Sequence, residues 1–248
     1  MNERLKPILV IAATAGTILV NWMAAKGYIN NVTPEIISDK YPTFITPAGY
    51  AFAIWSLIYL DLIAFSIYQA LPSKLERFRP VRTIYILSCV ANCAWIYFWL
   101  HEMILVCLGV IFVLLGTLVF INLKLRGGDS AGENWLARVP FGVYFGWVTV
   151  AATLNFAVAL VYLNVKFSDS AAIITASILI ALVTILGIIM RIKLAIYVFP
   201  LPVAWALTAI AVEQSGKTPI VATAAFGVIF SLVAALSFVM DMKSSEIK

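Results

Sequence analysis

Charge is what this 248-residue sequence has least of. Asp, Glu, Lys and Arg together make up 12% of it, against about 25% in an ordinary soluble domain. Hydrophobic residues make up 63%, and the mean hydropathy is +1.00. A water-soluble globule is excluded, and because the apolar excess runs through the whole chain, so is a single anchor on a soluble body. Histidine occurs once, at His101, which excludes a zinc site built on several imidazoles. The three cysteines, Cys89, Cys93 and Cys107, lie in apolar stretches without paired Cys or Cys/His spacing and read as buried small hydrophobes. The chain has no HExxH, nucleophile elbow or paired-carboxylate pattern. The glycine-rich run Arg126-Gly127-Gly128-Asp129-Ser130 lacks the GxxxxGK[ST] spacing that cradles phosphates and reads as a turn. Every lysine lies near the end of an apolar run, so a mid-membrane Schiff-base lysine is excluded too. A membrane enzyme acting on a lipid or pigment therefore has little positive support. The net charge of +5 reads as membrane topology and not as nucleic-acid binding.

What the sequence has in abundance is length of apolar run. A helix needs about 20 apolar residues to cross a bilayer, and polar and Pro/Gly punctuation divides the chain into eight such segments. They lie near 7–27, 47–70, 82–100, 103–124, 136–163, 171–190, 194–212 and 219–240. With the N-terminus inside, Arg4, Lys6, Lys74, Arg77, Arg79, Arg82, Lys124, Arg126, Arg138, Arg191, Lys193, Lys243 and Lys248 fall on the cytoplasmic side, and only Lys26, Lys40, Lys166 and Lys217 fall outside. That asymmetry follows the positive-inside rule and predicts both termini cytoplasmic, in a prokaryotic inner or plasma membrane. The N-terminal run lacks a cleavage site followed by a polar region and reads as a retained first helix. The expected fold class is thus an all-α integral membrane protein of about eight transmembrane helices, with membrane lipids as partners. Gly187 and the small residues Ala172, Ser177, Ala181 and Thr184 would permit close helix approach, within the chain or in a homodimer. The polar outside segment 28–46 could cover a cavity mouth or simply connect.

Polar groups inside hydrocarbon need an internal partner, which makes Asn21, Asp61, Gln69, Asn92, Asn155 and Glu213 informative. Asp61 is the sharpest, because an ionised carboxylate near mid-bilayer costs about 2.5–3.5 kcal/mol on the insertion scale. It must be neutral, paired with another helix, or open to water. Several aromatics also lie deeper than the interface where Trp and Tyr usually collect. Trp55 and Tyr59 share a helix face, as do Tyr144 and Trp147, while Trp95, Tyr97, Phe98 and Trp99 form a cluster. These rings could line an intramembrane cavity or pack helices together. His101 and Glu102 break the apolar run between the third and fourth spans and read as an exposed turn.

Three motifs carry a resemblance. The run Thr46-Pro47-Ala48-Gly49-Tyr50-Ala51-Phe52-Ala53-Ile54-Trp55-Ser56-Leu57-Ile58-Tyr59 resembles the second-helix signature of the translocator protein family, TspO or tryptophan-rich sensory protein. Ala91-Asn92-Cys93-Ala94-Trp95-Ile96-Tyr97-Phe98 resembles its third-helix pattern. Tyr144-Phe145-Gly146-Trp147-Val148-Thr149-Val150-Ala151, continuing to Leu154-Asn155, resembles its fifth. The chain departs from the family where Pro47-Ala48 replaces a double proline, Tyr50 replaces the first Trp, and Val143 stands where a proline is expected. Asp61 has no counterpart in the pattern. The resemblance covers roughly residues 1–165 and suggests a five-helix TspO-like bundle over 1–168, with a three-helix extension over 169–248.

What the resemblance implies is a bundle that binds an apolar or amphipathic ligand, a tetrapyrrole such as protoporphyrin IX or a sterol-like molecule. Trp55, Tyr59, Asn92, Trp95, Tyr144, Trp147 and Asn155 would line or brace the site, with Asp61 adjusting charge or hydrogen bonding near it. No cofactor is required; a porphyrin or lipid would be the bound group. The leading expectation is a membrane sensor, binding protein or transporter for that lipophile. The alternative is a proton-coupled secondary transporter of a small lipophilic substrate in which Asp61 titrates.

Overall fold

The computed structural model describes residues 5–128 and 130–246, with side chains described as far as Ser237. Arg4, Asp129 and Lys248, and the side chain of Lys243, lie outside the described residues. The described chain is helical and contains no strand. Its α-helices are α1 (Lys6–Ala25), α2 (Pro34–Lys40), α3 (Ile54–Tyr68), α4 (Arg79–Leu100), α5 (Ile104–Lys124), α6 (Ala131–Glu133), α7 (Val139–Tyr162), α8 (Asp169–Leu194), α9 (Pro200–Glu213) and α10 (Thr218–Glu246). A 3₁₀ turn at Gly49–Ala53 leads into α3, and a π-turn at Asn134–Arg138 leads into α7.

Seven of these helical segments are long and apolar enough to cross a membrane. Their outward surfaces are apolar where a soluble helix would be charged: Leu60, Ile67, Phe226 and Leu236 are all exposed by 60% or more. Polar residues instead point inward, with Gln69 and Asn92 wholly buried. Such inverted patterning fits a hydrocarbon surround, because buried polar groups can hydrogen-bond one another and exposed apolar ones meet lipid. The helix starts follow local chemistry. Proline opens α1, α4 and α9, where a missing N–H costs nothing. The Ser168 hydroxyl accepts the Ala171 amide at 3.3 Å at the start of α8, with Asp169 in its first turn and Arg191 and Lys193 in its last, which complements the helix dipole.

The chain packs as two compact units. The first comprises residues 1–41 and 53–141, the second 42–52 and 142–248, so the division falls inside α7 between Phe141 and Gly142. In the first unit α4 packs on both α1 and α5, α3 lies along α1, and α2 rests on α4. The α4–α5 reversal uses Glu102 in the left-handed region, φ 56°, a conformation that costs a non-glycine residue roughly 1–2 kcal/mol. Its carboxylate accepts hydrogen bonds from Lys40 Nζ at 2.7 Å and from the Tyr41 hydroxyl at 2.6 Å, which ties the end of α2 to the turn.

In the second unit α8, α9 and α10 pack on one another, and the Phe145 ring of α7 meets Phe199 edge-on at 4.7 Å. The eighth expected span, 194–212, takes a different form from the other seven. Its helix, α9, has 14 residues, about 21 Å at 1.5 Å per residue, short of the roughly 30 Å hydrocarbon core. The cause is local: Ala195 adopts the left-handed conformation, φ 53°, and ends α8, and a turn through Ile196–Phe199 precedes Pro200. The segment nevertheless runs back along α8, with Pro200 beside Gly187 and Ile210 beside Leu179 and Ile180. Ile196 and Phe199 are buried within the unit, the condition under which non-helical backbone is tolerated at membrane depth.

Candidate functional site

In the first unit a buried polar seam runs along α1. At one end Arg82, 2% exposed, donates from Nε to Gln69 Oε1 at 2.6 Å, from Nη2 to the Gln69 carbonyl at 2.9 Å and from Nη1 to the Leu75 carbonyl at 2.7 Å. Gln69 in turn donates to the carbonyls of Pro7 and Ser66. One step along, the Thr14 hydroxyl meets Ser66 Oγ at 2.5 Å and the Tyr85 hydroxyl at 2.6 Å. Cys93 Sγ lies 3.7 Å from Thr17 Oγ1. At the far end Asn21 Nδ2 donates to Asn92 Oδ1 at 2.7 Å and to the Thr17 carbonyl at 2.9 Å. Thr14, Thr17 and Asn21 recur at helical spacing on one face of α1, and Arg82, Tyr85, Cys89 and Asn92 do the same on α4. The three cysteines are free thiols; Cys89 and Cys107 are buried and Cys93 is half-buried.

Beside this seam stands an aromatic stack. Trp55 and Tyr59 are stacked at 5.6 Å with an interplanar angle of 17°, as their i, i+4 spacing predicts. Trp55 lies 5.9 Å from Trp95, which stacks on Trp99 at 6.2 Å. Trp99 is fixed by its Nε1, which donates to the Pro34 carbonyl at 3.0 Å. Trp95 and Trp99 are sealed inside the unit, at 4% and 2% exposure, whereas Trp55 and Tyr59 are half-buried. Each such ring pair contributes roughly 0.5–1.5 kcal/mol beyond area burial.

Asp61 is half-buried and has no hydrogen-bond partner among the described residues. At 100° per residue it lies about 160° around α3 from Tyr59 and about 120° from Trp55, so α3 presents the carboxylate and the stacked rings on different sides. At the α4–α5 turn the His101 ring stacks on Tyr97 at 4.1 Å, and its Nδ1 lies 2.8 Å from the Tyr97 carbonyl. The hydrogen bonds from Lys40 and then Tyr41 hold the Glu102 carboxyl below the usual range for a glutamate.

The second unit holds Tyr144, Trp147 and Asn155, all buried on α7. The Trp147 ring meets Phe52 edge-on at 6.5 Å, and Asn155 Nδ2 donates to the Ala151 carbonyl at 2.9 Å. Between the two aromatics, Gly146 packs against the Phe199 carbonyl so closely that a Cβ would collide with it. The Trp205 Nε1 donates to the Ala51 carbonyl at 3.0 Å, and the Ala48 amide to the Ala209 carbonyl at 3.1 Å. The proline-led segment 42–52 is thereby pinned to α9. Of the expected residues, then, Trp55, Tyr59, Asp61, Asn92 and Trp95 belong to the first unit and Tyr144, Trp147 and Asn155 to the second.

Sequence reasoning did not single out Thr14, Ser66, Tyr85 or Gly146, and it took Arg82 only as one of the basic residues on the cytoplasmic side. The signal was present in part: Arg82 stands three residues before Tyr85 and ten before Asn92, on one helical face.

The sequence model of the family described as TSPO-like protein matches residues 7–238. The chain belongs to the TSPO-like protein family. The match takes in α8, α9 and most of α10 as well as the earlier helices that carry the motifs. For this TSPO-like protein, family and helices together establish an integral membrane protein. No curated protein and no solved structure matches the chain.

Proposed function

We propose that this TSPO-like protein binds a flat lipophilic ligand within the membrane, a tetrapyrrole such as protoporphyrin IX or a sterol-like molecule, as a sensor or carrier of that ligand. The observation that carries the reading is the stack Tyr59–Trp55–Trp95–Trp99. Its inner members are locked, while its outer members, Trp55 and Tyr59, keep part of their surface accessible. A preorganised ring with an accessible surface suits a planar apolar partner, because stacking then orders no further side chain. Tyr144, Trp147 and Asn155 supply the family pattern on α7. The test is titration of the purified protein in detergent with protoporphyrin IX, followed by tryptophan fluorescence. Saturable quenching with a dissociation constant on the order of micromolar, weakened by Trp55→Leu in a folded variant, supports the reading. Quenching that does not saturate, or that Trp55→Leu leaves unchanged, overturns it.

Asp61 favours a second reading. A half-buried carboxylate on a membrane-crossing helix with no partner among the described residues is the kind of group that couples proton movement to transport. In that reading Asp61→Asn abolishes pH-driven uptake into proteoliposomes, and unchanged uptake refutes it.

A further inference from the structure

The second unit contains a cavity of about 180 Å³ that none of the candidate site residues lines. Its walls are the last turns of α7 at Ala157 and Leu160, the start of α8 at Ala176 and Leu179, and the segment Thr43–Ile45. Val161, Val165 and Phe167 also line it and are each about 40% exposed, so the cavity opens sideways at the level where α7 ends and α8 begins. A second void of about 20 Å³ continues inward, sharing Ile45 and Leu179 with the first and ending among Val183, Leu207 and Ile210. The walls are apolar apart from Thr43 and Thr175 in the first void and Thr153 in the second.

Size and surroundings restrict the occupant. A void of about 150 Å³ takes one benzene, and small-molecule pockets commonly run from roughly 300 Å³ upward. A tetrapyrrole or a fused-ring sterol does not fit; part of one flexible hydrocarbon chain does. Helices α7 and α8 turn apolar side chains outward beside the opening, with Phe156 exposed by 41% and Ile174 and Ile178 by about 60%, so a chain arriving from the bilayer meets no polar barrier. The mouth carries positive charge: the Lys217 ammonium lies over the Phe44 ring, 4.6 Å from its centroid, and Phe44 is a wall residue. Lys166, exposed, stands between the wall residues Val165 and Phe167. Asp169 and Glu213 are exposed on the flanking helices, but neither lines the cavity. Gln214 Nε2 donates to the Thr43 carbonyl at 3.3 Å, which holds the mouth segment against the end of α9.

We propose that this cavity binds a long-chain fatty acid, its acyl chain inserted between α7, α8 and the segment 43–45 and its carboxylate at Lys217. The site is independent of the aromatic stack and of the ligand proposed for it, so either can fail alone.

The test uses a palmitic acid analogue with a diazirine on its chain, photo-crosslinked to the full-length protein in detergent and mapped by mass spectrometry. Saturable labelling confined to 42–45, 157–167 and 172–179 is expected, reduced about tenfold by excess palmitate and much less by methyl palmitate, which lacks the charge. Ala176→Phe, which fills the void, and Lys217→Glu, which reverses the mouth charge, are each expected to reduce it several-fold while the tryptophan fluorescence of the folded protein is retained. Labelling spread over all the spans overturns the proposal. So does equal competition by the methyl ester, or competition by phosphatidylglycerol and not by palmitate. Because the ester and competitor arms use the unmodified chain, the outcome does not depend on either variant folding.

Discussion

Replacing Gln69 and Arg82 by leucine together will cost clearly less stability than the two single replacements cost in sum. Arg82 and Gln69 are 2% and 0% exposed, and three hydrogen bonds of 2.6–2.9 Å run from the guanidinium to Gln69 and Leu75. Gln69→Leu takes a side-chain acceptor from a buried guanidinium that keeps the Gln69 and Leu75 carbonyls, a change of roughly 1.5–3 kcal/mol. Arg82→Leu removes the cation but strips a donor from Gln69 Oε1 and from two carbonyls. At about 1–3 kcal/mol per unsatisfied group, less what water entering at the helix end recovers, the loss is again several kcal/mol. The double variant removes both ends of the Nε–Oε1 bond, so neither is left unpaired, while the Gln69 and Leu75 carbonyls lose their donors as they do in Arg82→Leu. The two single costs therefore exceed the double cost by at least about 1.5 kcal/mol. Unfolding by sodium dodecyl sulfate in mixed micelles, followed by tryptophan fluorescence, gives all four stabilities. Arg82→Lys, which keeps the charge but loses the planar fork, will recover only part of the loss. Costs that add to within about 0.5 kcal/mol would mean that the pair is not coupled, and the reasoning would fail.

Gly146→Ala will destabilise the second unit by roughly 1–3 kcal/mol or more, because the added Cβ meets the Phe199 carbonyl and backbone cannot rotate away. A thermal midpoint within one degree of the unsubstituted protein would refute this. The Glu102 carboxyl, held low by Lys40 and Tyr41, stabilises the α4–α5 turn above the ordinary glutamate range, and that contribution is lost as pH falls through its depressed value. With Lys40 55% exposed the effect is below about 1 kcal/mol. Once observed rates are divided by the intrinsic amide exchange rate at each pH, the protection of α2 will therefore fall on acidification below about pH 4, and Glu102→Gln will show the lower protection at every pH; an acid-dependent loss of protection surviving in Glu102→Gln would show another group to be responsible.

The spans were legible because hydrocarbon imposes a length and because punctuation marks the ends. His101-Glu102 separates α4 from α5 where the sequence reading places the break, since a left-handed Glu102 makes the reversal. The short α9 was not legible, because its cause is a left-handed alanine, Ala195, a residue type that gives no turn signal. The stacking of Trp55 on Tyr59 followed from i, i+4 spacing, but the contact of Trp55 with Trp95 joins two helices and no local pattern encodes it. The inward turn of Arg82 was not legible either: a cation near a span end fits the positive-inside rule equally well whether it reaches water or turns inward. Grouping by motif places a boundary at residue 168, while grouping by packing places one inside α7; the first follows chain order and the second follows which faces meet.

Asp61 separates the two functional readings because of where it stands on α3. A ligand stacked against Trp55 and Tyr59 approaches one side of the helix, and the carboxylate lies about 120–160° away on another. A ring system lying flat on those aromatics is therefore turned away from Asp61, and α3 itself stands between them. Asp61→Asn keeps the side-chain volume and removes only the charge and the proton. If ligand binding resides in the aromatic stack, Asp61→Asn leaves protoporphyrin IX quenching unchanged to within about twofold, equivalent to roughly 0.4 kcal/mol, whatever happens to pH-driven uptake. If it weakens that quenching about tenfold or more, the carboxylate and the ligand are in contact. In that event the ligand does not lie on Trp55 and Tyr59, and the site must be sought on the Asp61 side of α3.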